Sequence, residues 1–474
     1  MEQQLLTAVE RWIDEHKEEL IADIQAFSRI ASVSRADQAA PGAPFGPGCR
    51  EALNWALNRA KELGFTPVDH EGYCGTARIG DQDNAIGILG HIDVVPEGEG
   101  WIYPPYGATR TGDFLIGRGV GDDKGPTLAG LYAARCVKEL GLPMKHGVRV
   151  YFGCSEETGM QDLQYYVTHD TPPKVSLVPD CGFPVCVAQK GSLSADVSIA
   201  AGPSVKAFSA GLVHNMVPAD AQAELAVPES DLRAAFAKLG LNDADFTVGP
   251  VEGGCLVHAH GIASHAADPG KGKSALNMLA DALAKCGLLD DASARTMASI
   301  ATLTSGCYGE SCGLECEDEI SGKTTTNFGL ASMKDGRVSV SLDARLSIDA
   351  DPAGCAKRYA AACEALGFSC DSASTTQPFH IGIDSPETVA LMDVYREVTG
   401  RDDQPYAMGG GTYSRYLSTA ISFGPGLPGV TARPDIPESH GGAHRCDEYL
   451  YIPSLLTALK IYILSLLRLD EALS

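Results

Sequence analysis

Asn84–Trp101 reads NAIGILGHIDVVPEGEGW. Its first six residues, Asn84–Leu89, form a short apolar run, the pattern of a buried strand. His91 and Asp93 follow at once. In open α/β sheets, sites form outside the carboxyl ends of the strands. The stretch therefore predicts both a sheet and a place on it where chemistry collects.

Working outward, residues 1–32 place Leu5, Leu6, Val9, Trp12, Ile13, Leu20, Ile21, Ile24 and Phe27 at helical spacing, and residues 49–63 form a second helix that Gly64 stops. After Asn84–Leu89 come a helix over Pro126–Leu140, a strand over Val148–Gly153 and another over Lys174–Val178. Alternation of this kind predicts an α/β layer with a mainly parallel central sheet. From about Gly191 the texture changes to short strand-like runs, such as Leu193–Ile199, between helices such as Ser274–Lys285 and Asp351–Leu366. The α/β texture resumes with helix Pro386–Val398, strand Ala420–Phe423 and a last helix from Pro453 to about Leu467. The expected organisation is a discontinuous catalytic domain, 1–188 and 384–474, with an inserted α+β domain at 189–383.

The chain of 474 residues is long enough for a large core without staples. Fifteen cysteines, odd in number and irregularly spaced, read as reduced thiols of a cytoplasmic protein rather than as a disulfide framework. Cys307, Cys312 and Cys316 cluster, but no fourth ligand follows at zinc-site spacing. A net charge of −24 argues against nucleic acid or an anionic membrane as a partner. The N-terminus lacks a signal-peptide pattern, and no apolar run reaches the length of a span without a charge or proline.

Other polar groups fall at strand ends like His91 and Asp93. Glu156 and Glu157 follow Val148–Gly153, Asp180 follows Lys174–Val178, and Asp122 and Asp123 sit in a glycine-rich loop before a helix. Singly, each has an ordinary explanation: a structural histidine, a helix cap, a solvated loop. Together in one α/β half they suit two divalent cations, with zinc, manganese or cobalt fitting imidazole and carboxylate better than calcium or magnesium. A bridging carboxylate can hold two such ions about 3.5–4 Å apart. Of two adjacent glutamates, one can bind metal while the other takes a proton from water.

GHIDVVPEGEGW (Gly90–Trp101), GRGVGDDKGP (Gly117–Pro126), SEETG (Ser155–Gly159), VPDCGFPV (Val178–Val185) and AHRCDEY (Ala443–Tyr449) resemble, in order, the metal-site motifs of the dinuclear zinc metallopeptidases. That superfamily holds the aminoacylases, carboxypeptidase G, the carnosinases and bacterial dipeptidase V. The DDKGP form and the long insert point toward the dipeptidase V branch. The resemblance implies a phosphorylase/hydrolase-like catalytic domain with an inserted lid, and two divalent ions, zinc first. It implies that His91 and Asp180 bind one ion, Glu157 and His444 the other, and that Asp122 bridges them across a cis Asp122–Asp123 peptide. Asp93 would orient His91, and Glu156 would be the general base. His440 competes with His444, but the trailing Cys-Asp-Glu-Tyr favours His444. In the insert, GIASHAADPGKGKSALN resembles the segment that supplies a histidine, His265, to the active site. Asp343-Ala-Arg345 resembles the strand whose arginine binds the substrate carboxylate. GLVHNMVPADA places Asn215 in the same cleft, and GGGTYSR resembles a loop whose backbone, here Gly410 and Gly411, helps hold that carboxylate. Tyr106 stands where many relatives have phenylalanine.

The implied activity is hydrolysis of dipeptides or very short peptides by a monomer, through a metal-activated water with Glu156 as base. The alternative on the same site is an amidohydrolase of N-acyl amino acids. A non-catalytic binding protein on this fold would need a lost ligand or base, and none is lost. The paired-histidine motifs of a metal-dependent phosphodiesterase are missing from the sequence.

Overall fold

The computed structural model describes residues 3–473, which divide into two compact units. Unit 1 comprises residues up to Val187 together with Ile381–Tyr406 and the chain from Thr412; unit 2 comprises Ala188–His380 and Ala407–Gly411.

Unit 1 is built on strands β1 (Thr66–His70), β2 (Cys74–Ile79), β3 (Ala85–His91), β4 (Gly147–Gly153), β5 (Val175–Val178), β6 (Val185–Gln189) and β7 (Ala420–Phe423). They lie in the order β1-β2-β4-β3-β5-β7-β6. The four central strands, β4, β3, β5 and β7, run parallel. The β1–β2 hairpin and β6 add antiparallel edges. The sheet is therefore parallel in its middle and mixed overall. β3 and β4 are buried along their whole length, as apolar strands covered on both faces must be.

The helices of this unit are α1 (Gln3–Ser28), α2 (Gly46–Glu62), α3 (Lys124–Glu139), α4 (Gln161–His169), α5 (Pro386–Thr399) and α6 (Ile452–Ala472). α3 starts two residues earlier than its apolar pattern predicts, directly after Asp123, so the acidic pair stands at its N-terminal end. Gly130 lets α3 lie close on β3, since a Cβ there would meet Ile88 Cγ2 at 2.6 Å. α6 is long and apolar enough to cross a bilayer by length and composition, which the sequence reading did not expect. Yet 61% of its apolar window is buried, and it packs against α1, α3 and α5.

Unit 2 carries an eight-stranded antiparallel sheet, with strands Gly191–Ala200, Val205–Ala210, Thr325–Lys334 and Arg337–Leu346 at its centre. Helices Ala275–Lys285 and Pro352–Ala365 pack on it around a separate apolar core. The segment 407–411 belongs with this unit, although the sequence reading assigned it to the catalytic domain. The physical reason is its bonding: Lys190 N donates to Met408 O at 3.0 Å, and Gly409 faces Ala267 and Arg345.

Candidate metal centre

The site of unit 1 begins where β3 ends. His91 is buried, with Nδ1 3.0 Å from the main-chain oxygen of Asp93. That hydrogen bond uses Nδ1–H, so Nε2 faces outward, 3.1 Å from Asp122 Oδ1. The Asp93 carboxylate lies 3.4 Å from Nδ1. Its shorter bonds go elsewhere: Glu156 N and Glu157 N donate to its two oxygens at 3.1 and 3.2 Å. Asp93 thus fastens the end of β3 to the turn after β4. Gly90 lets the end of β3 lie close against the start of α3, because a Cβ there would lie 1.9 Å from Thr127 Oγ1.

The Asp122–Asp123 peptide is cis. Asp122 turns one oxygen to each histidine: Oδ1 to His91, and Oδ2 to His444 Nε2 at 3.2 Å. His444 Nε2 also lies 3.1 Å from Glu157 Oε1. Donor atoms of His91, Asp122 and Glu157 lie within 4.8 Å of one another, as do those of His91, Glu156 and Asp180. His440 is engaged differently. Its Nδ1 lies 2.6 Å from Asp447 Oδ2, and Asp447 also accepts from Ile102 N and Tyr103 N. His440 is part of the loop's framework, and His444 stands in the donor set.

Several groups around the site were not foreseen. Glu448 accepts from Gly121 N and Asp122 N and pairs with buried Arg118 at 2.7 Å, so it holds the loop that presents Asp122. Asp162 accepts from Ser155 N and from Tyr413 Oη at 2.5 Å, bracing the turn with the two glutamates. Lys124 is fully buried and donates to Phe27 O and Ile30 O, tying the end of α1 to the start of α3. Arg118 and Glu448 lie 330 positions apart, and nothing local in either motif marks the pair.

The electrostatics fit a cation. Burial, reinforced by the charge of Asp122, pushes Asp180 up to about 8. Burial and the charge of Asp180 raise Glu156 well above the carboxylate range. Hydrogen bonds that His444 donates to Asp122 and Glu157 lift it to about 10. Burial opposes the charge on His91, but its bonds to Asp122 and Asp93 win and raise it well above the usual imidazole value. Protons hold the place of positive charge in this cluster, and divalent ions would replace them.

Unit 2 gathers a second set of the expected residues. Arg345 lies in a fork with Asp343, Nη2 donating to Oδ2 at 2.9 Å and Nε 2.9 Å from Oδ1. Its Nη1 is 3.5 Å from Gly409 O. Across the sheet Arg345 is paired with Thr325, whose hydroxyl donates to Ala266 O. Ala266 N donates to Asn215 O. Ala267 N donates to His265 Nδ1, so neutral His265 carries its proton on Nε2. Arg345, His265, Asn215 and the loop with Gly410 and Gly411 therefore share one region of this unit.

A parallel-centred sheet with imidazole and carboxylate donors clustered at its strand ends defines a metal-dependent hydrolase. A profile described as Peptidase family M20/M25/M40 matches residues 87–468. The chain belongs to that family. It is 33% identical over 457 residues to the Bacillus subtilis (strain 168) protein named "Putative dipeptidase YtjP", covering 94% of this chain and 96% of that one. A Staphylococcus saprophyticus relative of the same designation is 30% identical over 472 residues, covering 96% of this chain and 98% of the relative. Among solved structures, human carnosine dipeptidase 1 aligns with a TM-score of 0.57 at 16% identity, covering 98% of this chain and 99% of that one. The di-peptidase Dug1p of Saccharomyces cerevisiae aligns with 0.59 at 15%, covering 98% of each chain. These two likenesses show the fold.

Two expectations follow. Zinc added to metal-free protein at pH 7 should release about three protons per chain, because His91, His444 and Asp180 are held protonated below their raised values and must lose protons to bind. Metal affinity should therefore fall as pH falls; calorimetry in buffers of different ionisation enthalpy reads the proton count, and no release would contradict this electrostatic picture. In addition, His444→Ala should lose metal measured by atomic absorption, whereas His440→Ala should keep it and lose thermal stability.

Proposed function

We propose that this protein is a dipeptidase that works with two divalent metal ions, zinc being the ion its donors suit best. The observation that carries the reading is the Asp122 carboxylate set between His91 and His444, one oxygen to each, with Glu156 beside them. His91 and Asp180 would hold one ion, Glu157 and His444 the other, and Asp122 both. When bound, such ions polarise a carbonyl oxygen and make water a better nucleophile at neutral pH. Glu156 is left outside this ligand set. Its role is to take a proton from the attacking water and deliver it to the leaving amine. Burial raises its affinity for that proton, as a base that later acts as an acid requires. Asp93 keeps Glu156 in place through its backbone N–H and so is a positioning residue. The relatives' printed name, dipeptidase, supports the substrate class.

For unit 2 the proposed role is recognition. With Asp343 engaging Nε and Nη2, Arg345 would turn Nη1, now 3.5 Å from Gly409 O, to the substrate's free carboxylate. Backbone N–H groups of Gly410 and Gly411, and the Asn215 side chain, would add polar contacts at that end. His265 offers Nε2–H to the oxyanion that forms at the scissile carbonyl.

The purified protein, loaded with zinc, manganese or cobalt, should hydrolyse dipeptides and leave N-acetyl amino acids intact. Chelation should abolish the activity; activity that survives full chelation would sink the reading. Glu156→Gln should keep the metal content and lower kcat by at least about 10²–10⁴-fold. Glu157→Gln should instead lose metal.

The two groups of unit 2 separate kinetically. Arg345→Ala should raise KM strongly, and the loss should shrink for C-terminally amidated substrates. His265→Ala should lower kcat by about 10²–10³-fold with metal content unchanged. Parent-like kinetics in both variants would remove unit 2 from the active site.

A further inference from the structure

Unit 1 holds a cavity of about 400 Å³ beside the donor set that the preceding roles leave unused. Asp122 and Asp180 line it. So do Leu427, Val430 and Ala432, from the loop that leaves β7 and ends at His444, together with Leu450 and Leu455. Leu455 is fully buried and Leu450 nearly so, which makes that wall part of the fixed core. Val430 is 44% exposed and forms the rim.

The charges in this cavity decide what can enter. No lysine, arginine or histidine is among its lining residues. A substrate carboxylate placed there would meet three carboxylates and no basic side chain. The acids that do line it are already engaged: Asp122 with both histidines, Glu448 with Arg118, and Asp180 in the donor set. A basic side chain would find no uncommitted partner among them. What remains is apolar wall.

We infer that this cavity receives the side chain of the substrate's amino-terminal residue and selects large apolar side chains over small or charged ones. The inference rests on the dipeptidase reading. A peptide whose scissile carbonyl lies at the donor set has two flanking residues. The carboxyl-terminal one carries the free carboxylate, which Asp122, Asp180 and Glu448 would disfavour there, so the residue that meets the Leu427–Ala432 wall is the amino-terminal one. Each methylene that fits an apolar pocket is worth roughly 10–200-fold in discrimination.

The test measures kcat/KM of the zinc-loaded protein for Leu-Gly, Gly-Gly, Asp-Gly and Lys-Gly. Leu-Gly should exceed Gly-Gly by at least about tenfold and Asp-Gly by more. Val430→Asp puts a carboxylate on the exposed rim and should lower the Leu-Gly to Lys-Gly ratio at least about tenfold. Ala432→Trp fills the space from inside and should lower the Leu-Gly to Gly-Gly ratio. Metal content and circular dichroism check that each variant is folded. If no peptide of the panel is cleaved by the parent, the dipeptidase reading fails and this inference with it. If the parent cleaves them but either shows no preference for Leu-Gly or keeps its ratios in both variants, the cavity is not the amino-terminal subsite, and the dipeptidase reading stands.

Discussion

Negative charge packed out of water is the constraint around which unit 1 is arranged. Burying a carboxylate is costly unless hydrogen bonds or opposite charge compensate it. The acids here fall into two kinds by how that compensation is met. Asp93 and Glu448 are almost fully buried, and each accepts two backbone N–H groups, Glu448 adding a guanidinium. They are satisfied by the chain itself, and they hold loops in position. Asp122, Glu157 and Asp180 face one another and two imidazoles instead. The first kind builds the frame and the second is the set proposed to hold cations, so the fold's stability and its proposed chemistry are assigned to different carboxylates around one site. Asp123 stands between the two: one oxygen accepts from His91 N and Thr127, while the other has no partner.

This division explains what the sequence could disclose. The donors were legible because each ends a strand or opens a helix inside a contiguous motif, and β3, β4, β5, β7 and α3 fall within a few residues of their apolar patterns. The frame was not. Arg118 and Glu448 become partners only through the folded chain, and Asp162 and Tyr413 are 251 positions apart. The trailing Cys-Asp-Glu-Tyr favours His444 over His440 in the sequence, and the folded chain separates them by their partners, Asp122 and Glu157 for His444 and Asp447 for His440. β1 escaped notice because the edge strand Thr66–His70 is half exposed and shows no apolar run, and β2 because its largely buried Cys74–Ile79 carries Thr76 and Arg78 among its apolar residues. The segment 407–411 was misassigned because chain order placed it after the insert, while its hydrogen bonds return it there.

Unit 2 shows the same economy on a smaller scale. Asp343 is buried and spends both oxygens on Arg345 two positions away on the same strand. A guanidinium held in this way loses little further freedom when it meets a ligand, which is the physical advantage of a planar fork over an ammonium. The register of strand 325–334 against strand 337–346 sets Thr325 opposite that arginine, and the Thr325 hydroxyl then reaches the backbone next to His265. Two groups 80 positions apart are thereby referred to one sheet.

The place of β7 in the sheet has a consequence for how the chain is made. β7 lies between β5 and β6, both of which precede the insert, yet it is itself residues 420–423. As the ribosome delivers the chain, the sheet of unit 1 is left with an open slot while roughly the whole of unit 2 emerges. Domains fold as units during synthesis, N-terminal parts first. Unit 2 can thus complete its own core while the older half of unit 1 still exposes the unpaired edge of β5. The slot closes only when β7 arrives, and His444 follows about twenty residues later. The proposed donor set is therefore completed only after the strand that seals the sheet has emerged.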